Sequence, residues 1–122
     1  MIGYVTLGTN NLQRAAGFYD ALLAELGAKR MMETDTLVAW TVSPQMPGLG
    51  VIMPHDKKPA TIGNGSMVAL VVDSKAKVDN LHRKAMALGG TDEGAPGPRG
   101  DGFYAGYFRD LDGNKLNVFH IG

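Results

Sequence analysis

Residues 67–90, MVALVVDSKAKVDNLHRKAMALGG, spell a strand, a capped helix and a glycine stop, and the same order already stands at residues 4–27, YVTLGTNNLQRAAGFYDALLAELG. In the later copy Met67 to Val72 is a short apolar run of strand type, and Asp73-Ser74 is suited to cap a helix. The apolar face of that helix is Ala76, Val78, Leu81, Ala85, Met86 and Leu88, and Gly89-Gly90 stops it. In the earlier copy the run Ile2 to Leu7 ends at Asn10-Asn11. Ala15, Ala16, Phe18, Tyr19, Leu22, Leu23 and Leu26 then recur at helical spacing until Gly27. Laying Tyr4 on Met67 puts Asn11 on Ser74, Phe18 on Leu81, Tyr19 on His82 and Gly27 on Gly90. A repeat of about sixty residues that occurs twice is too long for the usual solenoid periods, and it predicts a fused pair of modules on a pseudo-two-fold axis.

Working outward, Lys29 to Pro54 lacks helical periodicity and is cut by Thr34-Asp35, Ser43-Pro44 and Pro47-Gly48. Three strands, roughly 28–33, 36–43 and 48–54, account for it. His55 to Gly65 has loop chemistry and forms the seam between modules. Beyond the second helix, Glu93 to Gly102 is rich in Gly and Pro and is expected to be a loop. The last two runs, Phe103 to Arg109 and Lys115 to Ile121, flank Asp110-Leu111-Asp112-Gly113-Asn114, whose Asp-Gly step favours a tight hairpin turn. The fold class is therefore α+β. One domain spans 1–122, with module one at about 1–60 and module two at about 64–122, each a βαβββ unit.

Composition narrows the function classes. A length of 122 residues suits one domain. Twelve acidic and twelve basic residues balance without a run of like charge, so neither nucleic acid nor an anionic membrane is an expected partner. The absence of cysteine excludes a disulfide framework, a thiolate metal site and a cysteine nucleophile. No window reaches the ~18 apolar residues of a membrane span and the start lacks a signal-peptide pattern, which makes a soluble, cytoplasmic protein the expectation.

Two stretches carry a family resemblance. Ile-Gly-Tyr-Val-Thr-Leu-Gly-Thr-Asn-Asn-Leu with Phe18-Tyr19 downstream, and Phe-Arg-Asp-Leu-Asp-Gly-Asn-Lys-Leu-Asn-Val near the end, resemble the vicinal-oxygen-chelate superfamily of glyoxalases, bleomycin-type resistance proteins and extradiol dioxygenases. The resemblance covers essentially the whole chain, although the family pattern usually has Pro where Leu111 stands. It implies that the two modules form a cupped mixed sheet whose concave face carries the site. It also favours a homodimer.

Metal enzymes of that superfamily place four ligands, usually His or Glu, on the first and last strands of each module. Carried onto this chain, those positions are Tyr4, Met53, Met67 and Asn117, expected to converge on the concave face. A protonated phenol, two thioethers and one amide oxygen do not replace the hydration of a divalent ion, and the adjacent residues bring no imidazole or carboxylate. No metal and no other cofactor is therefore expected. His120 has strand parity opposite to Asn117, His82 lies on the second helix and His55 on the seam.

The expected ligand-binding residues are Tyr4, Trp40, Met53, Met67, Arg99 and Asn117. Tyr4 and Trp40 offer aromatic walls with a polar tip, Met53 and Met67 a deformable apolar floor, Asn117 a polar anchor, and Arg99 a guanidinium at the cleft mouth. Tyr104 and Tyr107, three apart on one strand, are expected on opposite faces. The favoured function is metal-independent binding of a small apolar or aromatic molecule, as the resemblance to resistance proteins implies. The alternatives are a glyoxalase-like lyase or isomerase with an atypical or absent metal site, which needs a proton-transfer group beside its substrate, and a pure interaction module.

Overall fold

Asn11 and Ser74 both take extended backbone angles, and their side chains accept the N–H three residues on, from Arg14 at 3.0 Å and Lys77 at 3.2 Å. These caps start α1(Leu12–Ala24) and α2(Lys75–Ala87) at matching places in the repeat. The helix ends match as well, with one correction. Gly27 (φ +77°) and Gly89 (φ +98°) adopt the left-handed conformation. The next N–H then reaches five residues back, Ala28 to Leu23 at 3.0 Å and Gly90 to Ala85 at 2.9 Å. The counterpart of Gly27 is thus Gly89 rather than Gly90, because Glu25-Leu26 in the first helix end stands against Leu88 alone in the second.

A computed structural model describes all 122 residues, and the chain divides into two compact units, Met1–Ile62 and Gly63–Gly122. The first contains β1(Tyr4–Gly8), α1, β2(Lys29–Glu33), β3(Leu37–Thr41) and β4(Gly48–Ile52). Its four-stranded sheet has the order β1-β4-β3-β2, with β1 parallel to β4 and the other pairs antiparallel. The second contains β5(Val68–Val71), α2, β6(Thr91–Pro98), β7(Phe103–Arg109) and β8(Lys115–Ile121), in the equivalent order β5-β8-β7-β6. The architecture is α+β, two tandem βαβββ modules with a mixed sheet in each.

The Gly- and Pro-rich segment expected as a loop is mostly strand β6, a correction with a physical reason. β6 is an edge strand, where Pro96 and Pro98 need not supply ladder N–H groups, and its register to β7 slips on both sides of Gly94. The seam is also less free than its composition suggests. Asn10 accepts the N–H of Ala60 at 2.7 Å and donates back to its carbonyl at 3.3 Å, tying the segment before the unit boundary to the start of α1.

Each helix covers one face of its own sheet. In the first unit Val38, Trp40, Leu49 and Val51 are buried beside Phe18, Tyr19, Leu22 and Leu23 of α1. Full burial of each of the larger aliphatic side chains is worth about 1.5–3 kcal/mol. In the second, Phe108, Leu116 and Val118 meet Val78, Leu81, His82 and Ala85 of α2. His82 Nε2 lies 3.1 Å from Asp92 Oδ1 and 3.2 Å from the Tyr107 carbonyl, so it clips α2 to β6 and β7. The β7–β8 turn is built around Asp110. Its Oδ1 accepts the N–H groups of Asp112 and Asn114, both at 2.9 Å, and its Oδ2 accepts Asn114 Nδ2 at 3.0 Å. Gly113 closes the turn at φ +90°. No helix is long and apolar enough to cross a membrane.

Candidate functional site

Strand alternation sends every second side chain to the face its helix does not cover. In the first unit that face carries Tyr4 and Thr6 on β1, Gly48 and Gly50 on β4, and Ala39 and Thr41 on β3. It is largely backbone. A Cβ on Gly48 would come within 2.6 Å of Met31 Sδ, and one on Gly50 within 3.2 Å of both Ala39 Cβ and Leu37 Cδ1. A bulge in β2 between Arg30 and Met32 brings the Met31 sulfur over Gly48, so the glycines are roofed by apolar atoms.

The equivalent face of the second unit is chemically different. Ala69, Asn117 and Tyr107 stand side by side across β5, β8 and β7, and Phe103 and Phe119 stack with centroids 5.3 Å apart. Asn117 is 2% exposed, and its Oδ1 is buried without a hydrogen-bond partner. An unpaired buried acceptor costs about 1–3 kcal/mol, so a donor arriving there from a ligand or water has something to gain. Two cations approach the Tyr107 ring, Arg99 at 5.6 Å and Lys115 Nζ at 5.5 Å from its centroid. Nearby on the same sheet Arg109 is held by Glu93.

The expected site residues are divided between the two units. Asn117 and Arg99 belong to the helix-free face of the second unit, and Tyr4 to that of the first, 49% exposed. Trp40 does not line that face. It is 2% exposed, packs on Tyr19 with centroids 5.7 Å apart, and donates its indole N–H to Asp20 at 2.8 Å, so it is part of the core under α1. The cause is parity: Trp40 shares the side of Val38, which α1 covers, rather than the side of Ala39. Met53 lies one residue beyond β4 and Met67 one residue before β5, and they belong to different units.

The register also reassigns one carried-over position. Gly50 faces Thr6 as Asn117 faces Ala69, and Thr6 and Ala69 are equivalent in the repeat, so the counterpart of Asn117 is Gly50 rather than Met53. Tyr107 and Lys115 are the residues of this face that sequence reasoning had left out of the site. The available signal was parity, since Lys115 precedes Asn117 by two residues on one strand.

The remaining titratable groups are structural where they are buried. Tyr104 points to the helix side and donates its hydroxyl to Asp79 at 2.7 Å, which raises its pKa above the usual phenol value. Asp92 is held below the ordinary carboxylate range, first by the Gly94 N–H and then by His82. His120 Nδ1 lies 3.1 Å from the Val72 carbonyl, away from Asn117 as its parity requires. A groove of about 360 Å³ lies along α2 and is lined by Asp79, His82, Arg83, Met86 and Pro96. No group of three or more His, Asp or Glu side chains comes together anywhere in a form that could hold a metal ion. A phenol, a glycine, a thioether and an amide at the four superfamily positions therefore do not fit a divalent ion.

Comparison with known proteins agrees with this fold. A glyoxalase/bleomycin resistance protein of Albidiferax ferrireducens T118 is 36% identical, with a TM-score of 0.91, and the match covers 100% of this chain and 99% of that one. A hypothetical protein of S. aureus, SA1046, is 25% identical, with a TM-score of 0.76 over 98% of this chain and 92% of that one. Lactoylglutathione lyase of Agrobacterium tumefaciens shares the fold at 22% identity and a TM-score of 0.71, over 98% and 92% of the two chains. Among curated proteins there is no significant match. A family model matches residues 1–118, and the chain belongs to the Glyoxalase/Bleomycin resistance protein/Dioxygenase superfamily.

Proposed function

We propose that this protein binds a small, partly apolar or aromatic molecule on the helix-free face of its second unit, without a divalent metal. The observation that carries the reading is Asn117, whose carbonyl oxygen is buried and unpaired beside Tyr107. Such a surface gives burial to a flat apolar body, at about 25 cal/mol per Å², while one hydrogen bond sets its orientation. The donor set at the four superfamily positions supports binding without metal. Proton-transfer chemistry of the lyase or isomerase kind is less well supported, because Glu93, the β6 carboxylate paired beside this face, is held by Arg109.

The protein acts, on this reading, in the cytoplasm as a homodimer. Support for self-association comes from the outer strands β1 and β5, which lie at sheet edges and carry exposed apolar side chains, Tyr4 at 49% and Val71 at 66%. The test is native mass spectrometry and metal analysis of protein purified without a metal-binding tag. The expected result is a recurrent small-molecule adduct, far less than one equivalent of zinc, nickel, iron or manganese, and a Tm that chelator leaves unchanged. A stoichiometric metal that survives dialysis would overturn the reading.

A further inference from the structure

The helix-free face of the second unit pairs one of its cations and leaves two others without a carboxylate. Arg109 has Glu93, as Arg30 has Asp20 and Glu33 and Lys77 has Asp73 elsewhere in the chain. Arg99 and Lys115, in contrast, meet at one aromatic ring. A cation over a ring face is attracted to the ring but keeps its charge, so both remain available to an anion.

Arg99 is also held in place. Gly94 and Gly97 lie opposite Tyr107 and Ala105, on the same face as Asn117. A Cβ on Gly94 would come 3.3 Å from Arg99 Nη2, and one on Gly97 would come 3.1 Å from Nη1, so the two glycines open the slot in which the guanidinium lies. Nη2 donates to the Ala95 carbonyl at 2.7 Å and Nη1 to the Pro98 carbonyl at 3.4 Å. A guanidinium carries five N–H donors in a rigid fork, so this docking positions it and leaves others for a bidentate acceptor. The glycines that made this segment look like a loop have a use: they seat an arginine.

Resting on the binding function proposed above, we infer that the ligand is an oxyanion: an aryl or alkyl acid whose carboxylate or phosphate group lies between Arg99 and Lys115, and whose apolar body lies along Tyr107. A donor group on that body, a hydroxyl or N–H, reaches the unpaired oxygen of Asn117. The three features define one ligand class, an acid with an apolar body and an internal hydrogen-bond donor.

The test is titration calorimetry on the full chain with 3-(4-hydroxyphenyl)propionate and with its primary amide, an uncharged molecule of nearly the same shape. The acid is expected to bind at least tenfold more tightly than the amide, with an advantage that shrinks as salt is raised from 20 to 300 mM. Arg99→Gln and Lys115→Gln, checked for folding by circular dichroism, should each weaken the acid several-fold and leave the amide unchanged. Equal binding of acid and amide to the wild-type chain, or an acid preference that survives Arg99→Gln with Lys115→Gln, overturns the inference and leaves the apolar-ligand reading standing. Binding of neither molecule overturns both. Inorganic phosphate serves as a control for headgroup recognition: weak binding that is lost in the double variant supports the inference, and phosphate binding unchanged in that variant places the anion elsewhere and overturns it.

Discussion

The two units follow the same path and bury the same kind of helix side, yet their helix-free faces have diverged. The pair Gly50 and Ala39 in the first unit occupies the place of Asn117 and Tyr107 in the second. One face is backbone roofed by the Met31 sulfur and Leu37, and the other is aromatic, cationic and holds an unpaired amide oxygen. On the helix side the correspondence is closer. Tyr19 lies against Trp40 in one unit and His82 against Phe108 in the other, with ring centroids 5.7 and 6.2 Å apart. Packing against a helix requires apolar volume at set positions, so that side keeps its pattern. The opposite face contributes less to each unit's core and is free to specialise.

The largest expected effect is on the conserved geometry of the helix side. Trp40→Ala removes the largest side chain under α1 and should cost about 3–5 kcal/mol in urea unfolding. Because Trp40 belongs to the core, probe affinity at saturating folded fraction should not change. A loss of affinity without a loss of stability would return Trp40 to the binding surface.

Exchanging the residues that distinguish the two faces sharpens the comparison. Gly50→Asn places the second unit's residue in the first, where its Cβ meets the Val38 carbonyl at 3.1 Å, and should cost about 1–3 kcal/mol. A neutral result would show that the first face is loosely packed. The reverse kind of change, Asn117→Leu, removes the unpaired acceptor. It should hold or raise stability by up to about 1 kcal/mol while weakening hydrogen-bonding probes about tenfold. Lower stability together with unchanged binding would assign Asn117 to structure.

A smaller effect concerns Asp20, for which the second unit has no carboxylate counterpart, since the repeat puts Arg83 there. Hydrogen bonds from Arg30 and then from Trp40 hold its carboxyl below the ordinary carboxylate range. The folded pKa is depressed, so the stabilisation is present above about pH 4 and is lost as pH falls through the folded value. Asp20 and Arg30 are partly solvated, and Asp20→Asn should cost less than about 1 kcal/mol at pH 7 and flatten the acid limb of a stability profile. A stability difference that grows below pH 4 would contradict this sign. Smallest of all, Met67→Glu should change stability by no more than about 0.5 kcal/mol, because Met67 is 43% exposed and the new carboxylate would stay hydrated. A larger loss in thermal unfolding would show that Met67 is buried in solution.

How much of this was legible in the chain depends on the range of the interaction that decides each feature. The doubled strand and helix, the caps at Asn11 and Ser74, the opposite faces of Tyr104 and Tyr107 and the Asp110 turn are local, set by periodicity, by side chains bonding backbone a few residues away and by glycines at positive φ. Tertiary structure decided the rest. Parity shows that Trp40 and Ala39 point apart, but only packing against α1 says which of them faces the core. The counterpart of Asn117 depends on strand register, and hairpins of unequal length shift that register between the units. Arg99 looks like a solvated loop charge until the bulged pairing of β6 with β7 brings Gly94, Gly97 and Tyr107 around its guanidinium. Such contacts join residues through two strands and a turn, and no local period in the sequence encodes them.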